Sequence, residues 1–339
     1  AAVDLVEREI MSNYPNGKVP FHSRWRHFEF ENKNFWQRTA LKLTKRSKNE
    51  IARSQIDLAV VSVLLDAGAG SSWRYKDSQT GLNFSRSEGL AIASLRLFES
   101  GVLSQSGLDD PLRVDAASLQ ALTPEILAME FQVSQSNQLL GLEDRAKLLN
   151  RLGDTLLKQK HIFEAEGTFR PGNLFDYLTR SQVTGVLEAR DILIAVLQGM
   201  GEIWPDGSWI DNVAIGDAGY HEVVKRSDIT DGIVPFHKLS QWMSYSLIEP
   251  LQEAGFKVNN LDALTGLAEY RNGGLFIDTK AISLKDRTQL EVVHDPKSPL
   301  VVEWRALTVV LLDKLAEEIR RSTNTDSGSM PLASILQGG

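Results

Sequence analysis

Apolar residues recur every three or four positions along most stretches of the chain, the period of a helix that buries one face. The segment SQIDLAVVSVLLDAGAG (54–70) predicts a buried helix, closed at Gly68 by the left-handed conformation that glycine adopts at low cost. SRSEGLAIASLRLFESG (85–101) repeats the design, with Ser85 or Ser87 as N-cap and Gly101 as stop. TPEILAMEFQV starts with a capping Thr123 and with Pro124 in the first turn. GLEDRAKLLNRLGDTLLKQ and LEARDILIAVLQGMGEIW are further amphipathic segments, and FHKLSQWMSYSLIEPLQEAG runs from Phe236 to Gly255 with Pro250 bending its last turns. PLVVEWRALTVVLLDKLAEEIRRS is apolar on almost every side for four turns, which predicts a central helix.

Strand signals are few. GGLFID, AISL and LEVVH are expected to form a small β meander, and FRPGN, IWPDGSWIDN and HDPKSPL carry the proline and glycine of loops. No low-complexity linker and no internal repeat divides the chain. The expected fold class is therefore mainly α, a single helical domain over 1–321 with helical lobes at 1–160 and 161–321 as a subdivision. Residues 322–339, opening with STNTDSGSM, are expected to be a polar, mobile tail.

Composition narrows the partners. The 339 residues are 42% hydrophobic and 24% charged, enough to bury a large core. A net charge of -7 provides no basic field for a nucleic-acid polymer, which is not expected as a partner. The absence of cysteine excludes disulfides, thiolate zinc sites and a cysteine nucleophile, and makes the cytoplasm the expected location. The longest apolar run falls far short of the roughly 20 residues that cross a bilayer, so no membrane partner is expected. The opening AAVDLVEREI is acidic and amphipathic, not a secretory signal, and is compatible with the interior of a longer chain.

Several charges stand where a reason is needed, because a charge removed from water costs several kcal/mol unless it is paired. Glu303 and Arg305 interrupt the most apolar helix two positions apart, so they cannot face each other. They are either halves of structural ion pairs or the lining of a polar pocket. Lys238, Gln241 and Tyr245 share one helix face, and a lysine in a first turn is disfavoured by the helix dipole. It is either solvated or balanced by something anionic. PFHSRWRHFE packs His22, Arg24, Arg26 and His27 among aromatic residues; such arginines suit phosphate or carboxylate recognition, or stacking on tryptophan. LTGLAEYRNGGLFID sets Glu269, Tyr270 and Arg271 into an apolar run before Gly273 and Gly274. AIGDAGYHEV offers Asp217, His221 and Glu222, but no HExxH pattern is present and the six histidines lack ligand spacing, so no metal is expected. No phosphate loop, dinucleotide fingerprint or nucleophile elbow occurs, and no cofactor is expected.

Seven ordered blocks, VPFHSRWRHFE, LLDAGAGSSWRY, RSEGLAIAS, PLRVDAASL, VPFHKLSQWMSYSLIEPL, LTGLAEYRNGG and VEWRALTVVLLD, resemble the bacterial and fungal uracil-catabolism family, the fourth protein of the URC pathway. The likeness covers nearly the whole chain and implies a place in a route that degrades uracil through a uridine nucleotide and a ribosylurea, with urea as a product. A more distant likeness, carried by GLEDRAKLLNRLG, PFHKLSQ, LTGLAEYR and EWRALT, is to the queuosine-salvage N-glycohydrolases, helical proteins related in shape to DNA glycosylases. Lys238 and Gln241 match that family's Lys-Arg-Ala-Gln block, and Glu269, Tyr270 and Arg271 match its Asp-Tyr-Arg block, whose aspartate is catalytic. Glutamate here is one methylene longer, which leaves open whether it touches the sugar carbon or acts through water.

These resemblances imply an N-glycoside hydrolase of a ribosylurea or related pyrimidine-derived nucleoside or nucleotide. Glu269 would be the carboxylate that stabilises an oxocarbenium-like state. Lys238, Arg271 and Arg305 would bind phosphate or sugar hydroxyls, with Tyr270, Arg24 and Arg26 as further binding residues. Gln241 and Glu303 would orient ligand or partners, and Asp217 and His221 are candidate proton donors. An amidohydrolase acting on the ureido group and a non-catalytic binding partner are the competing readings. Oligomeric state is left open.

Overall fold

A computed structural model describes residues 1–31, 33–205 and 207–338. It is mainly α-helical, and its β structure consists, among the described residues, of six separate two-stranded ladders. The chain divides into two compact units: Ala1–His22, Asp206–Tyr245 and Asn260–Gly339 form one, and Ser23–Pro205 with Ser246–Asn259 the other. The expectation of lobes at 1–160 and 161–321 gives way to this interleaved division. Helical periodicity is local, and it carries no record of where the chain returns to close a core.

The larger unit is built on the helix Lys48–Leu65, capped by the Ser47 side chain on the Glu50 amide. Every residue from Ser54 to Leu65 is buried, so the aliphatic run is explained by burial on all sides, each Val or Leu side chain contributing about 1.5–3 kcal/mol. The helix closes at Asp66 rather than through a left-handed Gly68; the positive φ falls later, at Gly70. The helix Arg86–Glu99 packs beside it, with Ser85 in the N-cap position and Gly101 at φ +79 beyond its end. Thr123 caps Pro124–Glu130 by accepting from the Ile126 amide.

Buried charges in this unit are paired. Asp57 is fully buried and accepts from Arg170 and from the amides of Val114 (3.0 Å) and Gly172 (2.6 Å). Burial pushes its pKa up to about 6 even though Arg170 and the two amides pull the other way. FRPGN is thus a structural clamp: Arg170 supplies the counter-charge, and a Cβ on Gly172 would lie 2.4 Å from the Arg53 carbonyl oxygen.

In the smaller unit the helix Ala2–Asn13 packs against Leu332–Gly338, where Gly338 admits Ile10 so closely that a Cβ would lie 2.2 Å from it. The polar segment after Ser322 is therefore not a mobile tail to its end. Helix Pro299–Thr323 extends into it, and residues 330–336 are buried because Met330, Leu332, Ile335 and Leu336 bring apolar surface back to the unit. Ser208–Ile210 pairs with Val213–Gly216, and Ala218–Tyr220 with Ile233–Pro235, both antiparallel. Part of the predicted loop IWPDGSWIDN is thus a hairpin, and its Asp206 lies outside the described residues.

Two further expectations are corrected. GGLFID lies in the helix Tyr270–Asp278, and AISL and LEVVH form no strand, so the meander is absent there. Short apolar runs satisfy either period, and contact with the neighbouring helix Pro299–Thr323 decides for the helix. That neighbour is not central. Only its Val302, Thr308, Leu312, Leu315, Ala316 and Ile319 are buried, while Leu307 and Val310 are exposed.

Candidate active site

The smaller unit gathers its charges where three segments meet. Asp217 precedes the strand Ala218–Tyr220, and its carbonyl oxygen accepts the Phe236 and His237 amides, both at 2.9 Å. Its carboxylate accepts the Lys238 amide at 3.0 Å, satisfying one of the orphan donors at the start of helix Lys238–Glu253. That turn also holds His237 at φ 49, a strained value for a residue with a side chain.

Arg305 closes the arrangement. Its Nη1 and Nη2 donate to the two Asp217 oxygens at 2.8 and 2.7 Å, its Nε to the Ala268 carbonyl at 3.2 Å, and its guanidinium lies 4.0 Å from the Phe236 ring centroid. A planar five-donor fork is suited to this three-way contact. Burial alone would raise the Asp217 pKa, but the hydrogen bonds and charge of Arg305, with the Lys238 amide, hold it below the ordinary carboxylate value. Asp217 is thus an anion at neutral pH with both oxygens engaged. That geometry suits positioning rather than proton donation.

The predicted face of helix Lys238–Glu253 acts as one surface. Gln241 accepts the Thr265 amide at 3.1 Å, and the Tyr245 hydroxyl donates to the Thr265 carbonyl at 3.0 Å. Both grips fall on the segment leading to Glu269, so Gln241 contacts backbone. Glu269 is the N-cap residue of Tyr270–Asp278 with extended backbone, yet its carboxylate does not cap that helix. It faces Lys238 instead: Nζ lies 3.6 Å from Oε2, and the side chains are 25% and 21% exposed. This supplies the anion that a first-turn lysine calls for. Lys238 Nζ also lies 5.6 Å from the Trp242 ring centroid, with His22 stacked against that ring at 6.3 Å.

Of the other expected site residues, Tyr270 and Arg271 are exposed at the start of their helix and touch each other, Arg271 Nε donating to the Tyr270 hydroxyl at 3.4 Å. Glu303 is exposed, neither buried nor lining a polar pocket, because the inward stripe of its helix passes through Val302 and Arg305 instead. His221 sits in the turn between the paired strands, its Nδ1 accepting the Val223 amide at 3.3 Å. Arg24 and Arg26 belong to the larger unit. There Arg24 is fully buried against Asp66 and Ser62, and Arg26 pairs with Glu29 and Glu249. Of the two glycines that follow, Gly273 makes room for tryptophan, since a Cβ there would lie 2.5 Å from the Trp304 indole, whereas Gly274 faces open space.

Sequence reasoning left His22, Trp242 and Phe236 out of the site. Trp242 could have been found, since it lies one turn beyond Lys238 on the same face. His22 carries no comparable signal, as only the folded chain brings it to Trp242. Among the described residues no group of three or more histidine, aspartate or glutamate side chains is arranged to hold a metal ion, and no helix is long and apolar enough to cross a membrane.

Fold and site define a mainly helical protein that sets a carboxylate–ammonium pair against aromatic side chains, with a second carboxylate locked by arginine nearby. The chain belongs to the family described as protein of unknown function DUF1688, whose family pattern matches residues 1–339. It is similar to Protein urg3 of Schizosaccharomyces pombe, 39% identical over 99% of this chain and 80% of that protein. It is also similar to Uracil catabolism protein 4 of Lachancea kluyveri, at 36% identity over 99% of this chain and 81% of the relative.

Proposed function

We propose that this protein acts in uracil catabolism as an N-glycoside hydrolase, cleaving the N-ribosidic bond of a ribosylurea or a related pyrimidine-derived nucleoside or nucleotide. The observation that carries the reading is the Lys238–Glu269 pair at 3.6 Å, each side chain between a fifth and a quarter exposed. It is sheltered enough to strengthen electrostatics and open enough to meet a ligand. The name of the Lachancea kluyveri relative, Uracil catabolism protein 4, supports the pathway. The match of Lys238, Gln241, Glu269, Tyr270 and Arg271 to the queuosine-salvage glycohydrolases supports the bond that is cut.

Loss of the nitrogen substituent develops positive charge on C1′ and the ring oxygen of ribose. A carboxylate at a few ångströms stabilises that charge by about 1 kcal/mol in water and several times more in a drier site. Lys238 stands beside Glu269 as its counter-charge and offers a cation to ribose hydroxyls or a 5′-phosphate. In the water-attack form of the reaction the C1′–N bond breaks and a C1′–O bond forms. One water proton passes through Glu269 to the departing nitrogen, so ribose and urea leave with atoms balanced. Arg305 and Asp217 position the Ala268–Glu269 peptide and the start of the Lys238 helix.

Glu269→Gln should keep the fold, judged by an unchanged melting temperature, and lower kcat on ribosylurea or its phosphate about a hundredfold or more. Parent-like urea release by that variant would overturn the assignment. Products separate the competing cut: ammonia without free ribose or ribose phosphate would place hydrolysis at the ureido group.

A further inference from the structure

Helix Pro299–Thr323 carries two apolar faces, and the fold uses one of them. Written as a heptad repeat with Leu300 at position a, its buried residues Val302, Thr308, Leu312, Leu315, Ala316 and Ile319 all fall at positions b, c and f. Arg305, which turns inward to Asp217, is an f position as well. Positions a and d run down the opposite side as Leu300, Glu303, Leu307, Val310, Lys314 and Glu317. All six are exposed, Leu307 at 41% and Val310 at 54%. This second face is why the sequence is apolar almost all round although the helix is not central.

The charges on that face indicate what covers it. Glu303 has no ion-pair partner among the described residues, while Lys314 lies 2.8 Å from Glu317 of its own helix and keeps donors to spare. Two copies of the helix, antiparallel about a two-fold axis between Thr308 and Val309, set Leu307 against Val310 of the second copy and Glu303 against its Lys314. Leu300 then covers the aliphatic stem of Glu317, and symmetry makes every contact twice. A parallel pair in register would instead set Glu303, Lys314 and Glu317 each against its own like charge. Sliding the antiparallel pair by one heptad would place Leu307 against Glu303 or Glu317, so one register satisfies both the apolar and the charged positions. We propose that this face joins two copies of the chain in that antiparallel, two-fold symmetric dimer. The inference stands apart from the hydrolase reading, since no seam residue belongs to the Lys238–Glu269 or Asp217–Arg305 pair.

The test uses the full chain, whose lack of cysteine leaves a clean background for cross-linking. A single helix pair buries less than the roughly 1,200 Å² of a standard interface, so sedimentation should show a reversible dimer that forms in the micromolar range. Leu307→Asp should sediment as a monomer with parent-like circular dichroism. Glu303→Lys and Lys314→Glu should each raise the dimer Kd about tenfold or more, since symmetry replaces two opposite-charge contacts with two like-charge ones. An equimolar mixture of those two variants should dimerise again, because each copy then meets its opposite. Under mild oxidation Leu307→Cys mixed with Val310→Cys should cross-link faster than either variant alone. A parent that stays monomeric up to its solubility, a dimer that survives Leu307→Asp, or a mixture of the charge variants that stays monomeric would each overturn the proposal. Faster cross-linking within either cysteine variant alone would overturn it too, since a parallel pair sets each position against itself.

Discussion

Asp217 illustrates how one side chain organises a site without reacting in it. Its carboxylate joins Arg305 to the Lys238 amide, and its carbonyl accepts two further amides. Asp217→Asn keeps the shape but removes the charge that Arg305 matches. The expected loss is about 1–2 kcal/mol in urea unfolding, less than for a dry pair because the Asp217 side chain remains 35% exposed. KM for the proposed substrate should rise with it as the Lys238 helix start loosens. Unaltered unfolding and KM would show that the bidentate contact does not hold the site. Lys238, Glu269, Asp217 and Arg305 were all legible in the sequence as charges in apolar surroundings. Glu303 was equally conspicuous there, yet it is exposed, because polarity in a helix reveals a misfit and not the direction in which it points.

At the scale of elements, Tyr270–Asp278 depends on one of its two adjacent glycines. Gly273→Ala places a methyl 2.5 Å from the Trp304 indole, so overpacking should outweigh the better helix propensity of alanine and cost about 1–3 kcal/mol net. Gly274→Ala meets open space and should stabilise by about 0.5–1 kcal/mol. Thermal melts of the two variants should therefore move in opposite directions; a shared direction would mean that Trp304 relaxes freely. The long helices and several of their caps were legible because burial imposes a period and N-caps need particular side chains. The strand expectation for GGLFID failed because a short apolar run fits both periods, and contact with a neighbouring helix decided between them.

For the whole molecule, acid sensitivity follows from buried imidazoles. Burial lowers the pKa of His22 and His237 below the ordinary 6.5, partly opposed by Gln337 and Glu269 for the first and by Asp217 for the second. Above that value neither form of the chain gains a proton there. As pH falls below about 6.5 the unfolded chain binds protons more readily, so stability declines until the folded pKa values are passed. A second decline is expected below about 4, where Asp217, Asp77, Glu50 and Glu99, held ionised in the folded state by their partners, must be protonated. Burial raises the pKa of Asp57 to about 6 and that of Glu249 above its ordinary value, which works the other way over the same range, so the histidine effect is read as a difference: between pH 7.5 and 5.5 urea midpoints should decline more in the parent than in the double variant His22→Gln, His237→Gln. Equal declines in both proteins would assign the effect to other groups.

By itself the sequence determined the mainly helical class, the ends of several helices and the charges that needed partners, because each follows from spacing or side-chain chemistry within a few turns. Only the tertiary structure decided that Glu269 meets Lys238, that Arg305 holds Asp217, that Arg24 is sealed in a core and that His22 stacks on Trp242. Those relations join residues far apart in the chain, and their energies depend on distance and burial, which exist only after the chain has closed on itself.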